Sequence, residues 1–325
     1  MPLYGLLSIG TKQNTIIPEE GNANVTPLFS GLSDEARGLW LGFIGVVIFA
    51  ATLPITRLAV GPADAPQLPP VFVTMARAAI AGLLSVLYLR WKAAGAPPKA
   101  LWAPLVVSAL GTAIGFPLFL GLALRYTNAS HAAVISGLIP LATAVVGALW
   151  MRQRPSAGFW CCALLGFGLV VWFALLQGEG KVSTADIFLL FAILSTAVGY
   201  VAGAQVSARL SAPIAICWVL VVNLPVSLVG TALTWPEQPA HWVAWASLGY
   251  VAVFSMWLGF FAWYRGLVLG GTLRVSQVQL LQPFIAIVFA VPLTHEPLTL
   301  QTVGFALAII ATVLASRKMA TNARR

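Results

Sequence analysis

Ten stretches of mostly apolar residues follow one another along the chain, separated by short polar turns. Each is close to the ~20 residues a helix needs to cross a bilayer. They run approximately over 38–59, 69–89, 101–124, 130–150, 158–176, 185–206, 213–233, 243–264, 273–292 and 300–316. A chain with that pattern folds as an all-α integral membrane protein, because helices satisfy every backbone N–H and C=O without water. With 59% hydrophobic and 8% charged residues, 325 residues hold more apolar surface than a soluble core can hide. The connections leave no room for a catalytic domain outside the membrane. Residues 1–37 form a polar tail, and Met1–Gly10 lacks the basic region and apolar run of a signal peptide.

A net charge of +9 would suggest nucleic acid in a soluble protein, but here the charges sort by side. With a cytoplasmic amino terminus, fourteen of the 18 Lys and Arg residues fall inside, among them Arg90, Lys92, Arg209, Arg317 and Lys318. Arg57, Arg125 and Lys181 fall outside, and Arg77 lies within a span. Asp64, Glu179, Asp186, Glu237 and Glu296 lie outside or at the outer boundary. This satisfies the positive-inside rule, with both termini cytoplasmic and a basic tail at 317–325.

The segment G-L-I-P-L-A-T at Gly137–Thr143 has an echo 143 residues downstream, L-L-Q-P-F-I-A at Leu280–Ala286. At that offset Phe116–Trp172 falls on Gly259–Ala315 without a gap, pairing Pro140 with Pro283. Weak internal repeats with breakers in matching places are typical of secondary transporters. Residues 38–176 and 185–316 then form two five-span repeats. Five is odd, so the second runs upside down: ten transmembrane helices as an inverted five-plus-five repeat.

These features resemble the drug/metabolite transporter superfamily, specifically its EamA-type members: the span plan, the proline in spans 4 and 9, and the Glu296-Pro297 turn. The first copy departs where Arg152-Gln153-Arg154-Pro155 has Gln153 in the acidic place. The resemblance implies a carrier without cofactor, working by alternating access, with spans 3, 4, 8 and 9 as core and spans 1, 2, 6 and 7 rocking. It implies a bacterial inner-membrane protein, monomeric or weakly dimeric, whose partners are a small-molecule solute and the bilayer and not nucleic acid. Similar members include exporters of amino acids, such as the aromatic amino acid exporter, beside carriers of sugars, nucleotide sugars and triose phosphates.

Polar side chains inside spans are the candidate site, since a charged one costs at least about 2.5–3.5 kcal/mol to insert. Arg77 either lines the solute path and attracts a carboxylate or phosphate, or bonds to nearby carbonyls or snorkels outward. Gln279 and Gln282 share a helix face ahead of Pro283, with Ser136 and Ile139 as their first-copy counterparts. They suit a polar solute, or else act as glue between helices; Asn223 carries the same ambiguity. Trp257, Trp263, Tyr264 and Tyr200 offer an aromatic wall or simple packing. His131 either titrates for coupling or is a boundary residue. Pro54, Pro140, Pro213, Pro225 and Pro283 are bend points, with Pro140 and Pro283 the candidates for gating.

Cys161, Cys162 and Cys217 have neither disulfide nor metal spacing. No span carries a deep Asp or Glu, which a proton-coupled efflux pump needs near the midplane. The reading is export of small amphipathic or zwitterionic metabolites, amino acids foremost, without obligatory proton coupling. The rivals are uptake or exchange of sugars or phosphorylated and nucleotide-linked solutes, and proton-coupled drug efflux. A membrane enzyme lacks converging nucleophiles, acids or metal ligands.

Overall fold

The computed structural model describes residues 32–152, 155–271, 275 and 278–322. Among them eight helices are long and apolar enough to cross a membrane: α1 Asp34–Val60, α2 Pro70–Trp91, α3 Lys99–Ala123, α4 Ala129–Trp150, α5 Ala157–Gln177, α6 Thr184–Ser207, α7 Ala212–Leu233 and α8 Trp242–Gly270. Two shorter apolar helices follow, α9 Gln279–Thr294 and α10 Leu300–Ser316. No strand occurs among the described residues, and the chain is an all-α integral membrane protein. The eighth helix runs six residues past the sequence expectation, to Gly270, because Arg265 in its last turns does not end an otherwise apolar segment.

Side chains in the polar turns start these helices. Ser33 accepts the Ala36 N–H ahead of α1, Asn128 the His131 N–H ahead of α4, and Ser156 the Phe159 N–H ahead of α5. Ser183 and Asp186 cap α6 reciprocally. Glycine ends α1, where Gly61 adopts φ 69°, a conformation that side-chain-bearing residues rarely take. Pro213 lies in the first turn of α7, where no N–H is missed. It is therefore a helix starter and not the bend point expected. Pro54 and Pro225 do lie inside α1 and α7.

Packing pairs the helices across the two halves. α1 lies along α8 and α9, and α6 lies along α3 and α4; α2 packs on α7, α4 on α9, and α5 on α10. Exchanging each helix for the one five places on maps this set of contacts onto itself. Glycines permit the closest approaches. A Cβ on Gly38 would lie 2.0 Å from the Gly270 nitrogen, and one on Gly111 2.4 Å from the Ser195 carbonyl oxygen. α5 keeps Leu164, Leu165, Phe167 and Trp172 on its exposed face, in keeping with a peripheral helix.

Irregular backbone recurs at the sequence offset. α3 widens to π-helical turns at Ala109–Gly115 and α8 at Val251–Leu258. α4 breaks at Gly137–Leu138, and α9 opens with a 3₁₀ turn at Gln279–Leu281. Arg152 after α4 and His295 after α9 both adopt positive φ, 51° and 55°. Pro117, lacking an N–H, explains the first π segment. The second has Phe260 in that place, and there Ser255 and Phe260 contact Thr52 and Phe49 of α1.

Candidate functional site

The break in α4 and the 3₁₀ opening of α9 both line a cavity of about 110 Å³. One water needs at least about 10–15 Å³ on this measure, so the space admits several waters or a small solute. Each break is fixed locally. The Gly137 and Leu138 N–H groups turn back to Ala133, Val134 and Ile135 carbonyls, and the helix restarts at Ile139 with Pro140 in its first turn. In α9 the Gln282 N–H bonds the Gln279 carbonyl, and Pro283 follows in the first turn. Such non-helical backbone is tolerated at membrane depth where it lines a cavity.

Of the residues singled out from sequence, Arg77, Ser136, Tyr200, Gln279 and Gln282 line this cavity together with Pro140 and Pro283. Ile139, the counterpart of Gln282, lines it too, and most of the remaining lining was not anticipated. Phe49, Phe116, Met256 and Phe260 make apolar walls, and Thr52, Thr112, Thr196 and Ser255 add hydroxyls. Lone hydroxyls in an apolar span give no sequence signal, since each can bond its own helix, as Thr112 does to the Ser108 carbonyl at 2.7 Å.

Arg77 is 3% exposed. Its Nη2 donates to Ser255 Oγ at 3.3 Å, and Ser255 Oγ is bonded to Thr52 Oγ1 at 2.8 Å. Nε and Nη1 have no hydrogen-bond partner among the described residues. Among the described residues no carbonyl receives this arginine, and its burial shows that it does not snorkel outward.

Four candidates for solute binding lie outside the cavity lining. Trp263 packs with Val46 and Val275 against Gly42 and Gly45 of α1. Trp257 packs against Phe261 and Tyr88, and Tyr264 stacks on Phe260 with ring centres 6.0 Å apart. Asn223 is 3% exposed on α7, its Nδ2 unpartnered among the described residues.

His131, also outside the lining, is part of a polar knot at the start of α4. Its Nε2 lies 2.6 Å from Asp186 Oδ1, and its ring stacks on Phe173. Asp186 Oδ2 accepts from the Ser183 N–H and hydroxyl. Glu296, from the α9–α10 loop, accepts the Ala129 and Ser130 N–H groups at 2.7 and 2.8 Å. Its carboxylate sits where a helix N-terminus favours negative charge. His131, Asp186 and Glu296 are all buried, so His131 is tied to α6 rather than lying free at the boundary. In the neighbouring α3–α4 loop, Arg125 Nη2 donates to the Leu68 carbonyl, and burial holds this guanidinium below its ordinary pKa.

The sequence matches the EamA-like transporter family over residues 36–175 and again over 183–317. The chain belongs to that family. This EamA-like transporter is 42% identical over 287 residues to the uncharacterized transporter YdeK of Bacillus subtilis (strain 168), covering 86% of this chain and 97% of that protein. It is 26% identical to the uncharacterized transporter sll0355 of Synechocystis sp. (strain ATCC 27184 / PCC 6803 / Kazusa), over 77% of this chain and 82% of that one. A solved crystal structure superposes with a TM-score of 0.58 at 17% identity, over 88% of this chain and 99% of its own, which shows a shared fold. This EamA-like transporter is thus a multi-pass membrane transporter, and its solute has to pass through lipid-embedded helices.

Proposed function

We propose that this EamA-like transporter exports small amphipathic or zwitterionic metabolites, amino acids foremost, across the bacterial inner membrane by alternating access without obligatory proton coupling. The observation that carries this reading is the cavity lining: apolar walls, uncharged amides and hydroxyls, the single guanidinium of Arg77, and neither Asp nor Glu. A lipophilic cation would find no counter-charge there, and a proton no carboxylate to occupy. The chemistry is passage and not turnover, so the chain is no enzyme. In this reading 38–176 and 185–316 are the two inverted repeats, 1–37 and 317–325 are cytoplasmic tails, and the protein is a monomer or weak homodimer.

Counterflow of radiolabelled amino acids in proteoliposomes tests it, with and without an imposed pH gradient. The expected outcome is saturable exchange that the gradient leaves within about twofold. Strong acceleration by the gradient counts against the proposal. His131→Ala then decides whether the buried His131–Asp186 pair is the coupling site, since loss of the acceleration assigns it there.

A further inference from the structure

Arg77 has a setting that packing alone does not explain. A guanidinium inside a membrane bundle is normally paired with a carboxylate, bonded to carbonyls, or extended to the headgroups. Arg77 does none of these among the described residues. It lies seven residues after Pro70, roughly 10 Å along α2, and is 3% exposed. The cavity lining holds no acid. Its one bond, to Ser255 Oγ at 3.3 Å, leaves Nε and Nη1 empty.

The bond it does make is a positioning bond. Ser255 sits on the π-helical segment of α8, and Thr52 of α1 holds that hydroxyl at 2.8 Å. Two neutral side chains thus orient the planar fork without neutralising it. An unmatched buried charge is costly, and an anion entering the cavity that Arg77 lines offsets that charge and brings acceptors that Nε and Nη1 lack among the described residues. A carboxylate has the shape for this: two oxygens in a plane, received by parallel N–H groups.

We propose that Arg77 is the recognition point for a solute carboxylate, with Ser255 and Thr52 as its positioning residues, so that the solutes carried are monocarboxylates. This rests on reading the cavity as the solute site. Arg77 is the lone charge in the lining, so it balances one negative charge and no more. A zwitterion sets its carboxylate on Arg77 and leaves its ammonium to the carbonyl oxygens of Gln279 and Gln282 and the Ser136 hydroxyl. A second carboxylate or a phosphate dianion goes uncompensated, and a simple amine meets like charge.

The test is ligand-dependent thermal stabilisation of the purified full chain in detergent. The probes are leucine, phenylalanine and threonine, each beside its amide and its decarboxylated amine, with glutamine against glutamate, and with acetate, benzoate and chloride as simple anions. The expected result is stabilisation by acids, with amides and amines weaker by about tenfold or more, as for a site built to bond a group the analogue lacks. Arg77→Gln removes the preference for acid over amide. Ser255→Ala weakens acid binding without removing the preference. If amides bind as well as acids, or if chloride alone reproduces the stabilisation and acids do not compete with it, the proposal is overturned.

The comparison of acids with amides uses the unmodified protein, so it decides even if Arg77→Gln does not fold. If amino acids bind but their amides bind equally, the amino acid reading stands and the role of Arg77 falls. If benzoate or acetate binds in an Arg77-dependent way while no amino acid does, the role of Arg77 stands and the amino acid reading falls. If no carboxylate binds at all, the role of Arg77 falls.

Discussion

At its mid-span break the first half presents Ser136 and Ile139 to the cavity, while the corresponding break in the second half presents Gln279 and Gln282. The backbone beneath is alike. Both halves have a π-helical segment, a break ahead of a proline and a positive-φ residue at the helix end, at matching positions. The side chains differ at nearly every one of these places. Thr112 of the first π segment bonds its own helix, whereas Ser255 of the second reaches Thr52 and Arg77. Backbone geometry therefore makes a cavity between equivalent halves, and side chains make it one-sided. A one-sided cavity orients its solute, which a symmetric one cannot do.

The largest expected effect lies in the first half's helix start, at the polar knot that begins α4. Asp186→Ala strips acceptors from His131 and from the Ser183 N–H and hydroxyl, and each donor left buried and unpaired costs about 1–3 kcal/mol. Glu296→Gln puts an amide where Gln153 already stands in the other half; Gln153 itself lies outside the described residues. An amide oxygen accepts one of the two N–H groups and its NH₂ opposes the other. The loss is about 2–3 kcal/mol. Thermal unfolding in detergent checks both. If Glu296→Gln is as stable as the parent, the Ala129 and Ser130 contacts do not stabilise the bundle.

The two glycine contacts rank next. Gly38 meets Gly270 between α1 and α8, and Gly111 meets Ser195 and Gly199 between α3 and α6. An added Cβ at 2.0 or 2.4 Å from backbone atoms forces the helices apart. Overpacking of this kind costs about 1–3 kcal/mol. Gly111→Ala is expected to reduce transport as well as stability, because Thr112, next to it, lines the cavity. Gly168, where an added methyl would meet nothing within 4 Å, is the control, and Gly168→Ala is expected to be neutral or to stabilise by about 0.5–1 kcal/mol.

Much of this was legible in the sequence because lipid imposes one strong rule: apolar length reports spans, and breakers report bends. Pro140 and Pro283, paired by the repeat, both line the cavity, and so do five intramembrane polar candidates, Arg77, Ser136, Tyr200, Gln279 and Gln282. What periodicity could not supply was facing. α8 is largely apolar, and nothing in its sequence marks Phe260, which lines the cavity, over Trp257, Trp263 and Tyr264, which do not; Trp263 packs on Gly42 and Gly45 of α1 instead. The contacts of Thr52 with Ser255 and of His131 with Asp186 join residues 203 and 55 apart. No local pattern encodes such partners.

A smaller effect is expected from making the breaks alike. Gln282→Ile gives the second half the residue that the first carries at position 139, removing one neutral hydrogen-bonding group from the cavity. A neutral hydrogen bond contributes about 1 kcal/mol net, so KM for a transported amino acid is expected to rise about fivefold, with the maximal rate little changed. The reciprocal change Ile139→Gln tests whether orientation matters. If it restores KM in the double variant, the cavity reads only total polarity; if KM stays raised, the solute is held from the α9 side.

The smallest effect belongs to the aromatics outside the lining, and it separates wall from packing. Trp257→Phe keeps an aromatic ring against Phe261 and Tyr88, and a substitution that nearly preserves volume costs less than about 1.5 kcal/mol. Its KM is expected to stay within about twofold of the parent. Phe260→Leu at the cavity wall changes a comparable area of apolar surface, but on the solute side, and is expected to alter the ranking of amino acids by side-chain size. Transport competition across alanine, leucine and phenylalanine measures this. Should Trp257→Phe shift that ranking and Phe260→Leu leave it untouched, the solute-facing side of α8 would be the face that carries Trp257, and the π-helical segment would be presenting Ser255 away from the path instead of into it.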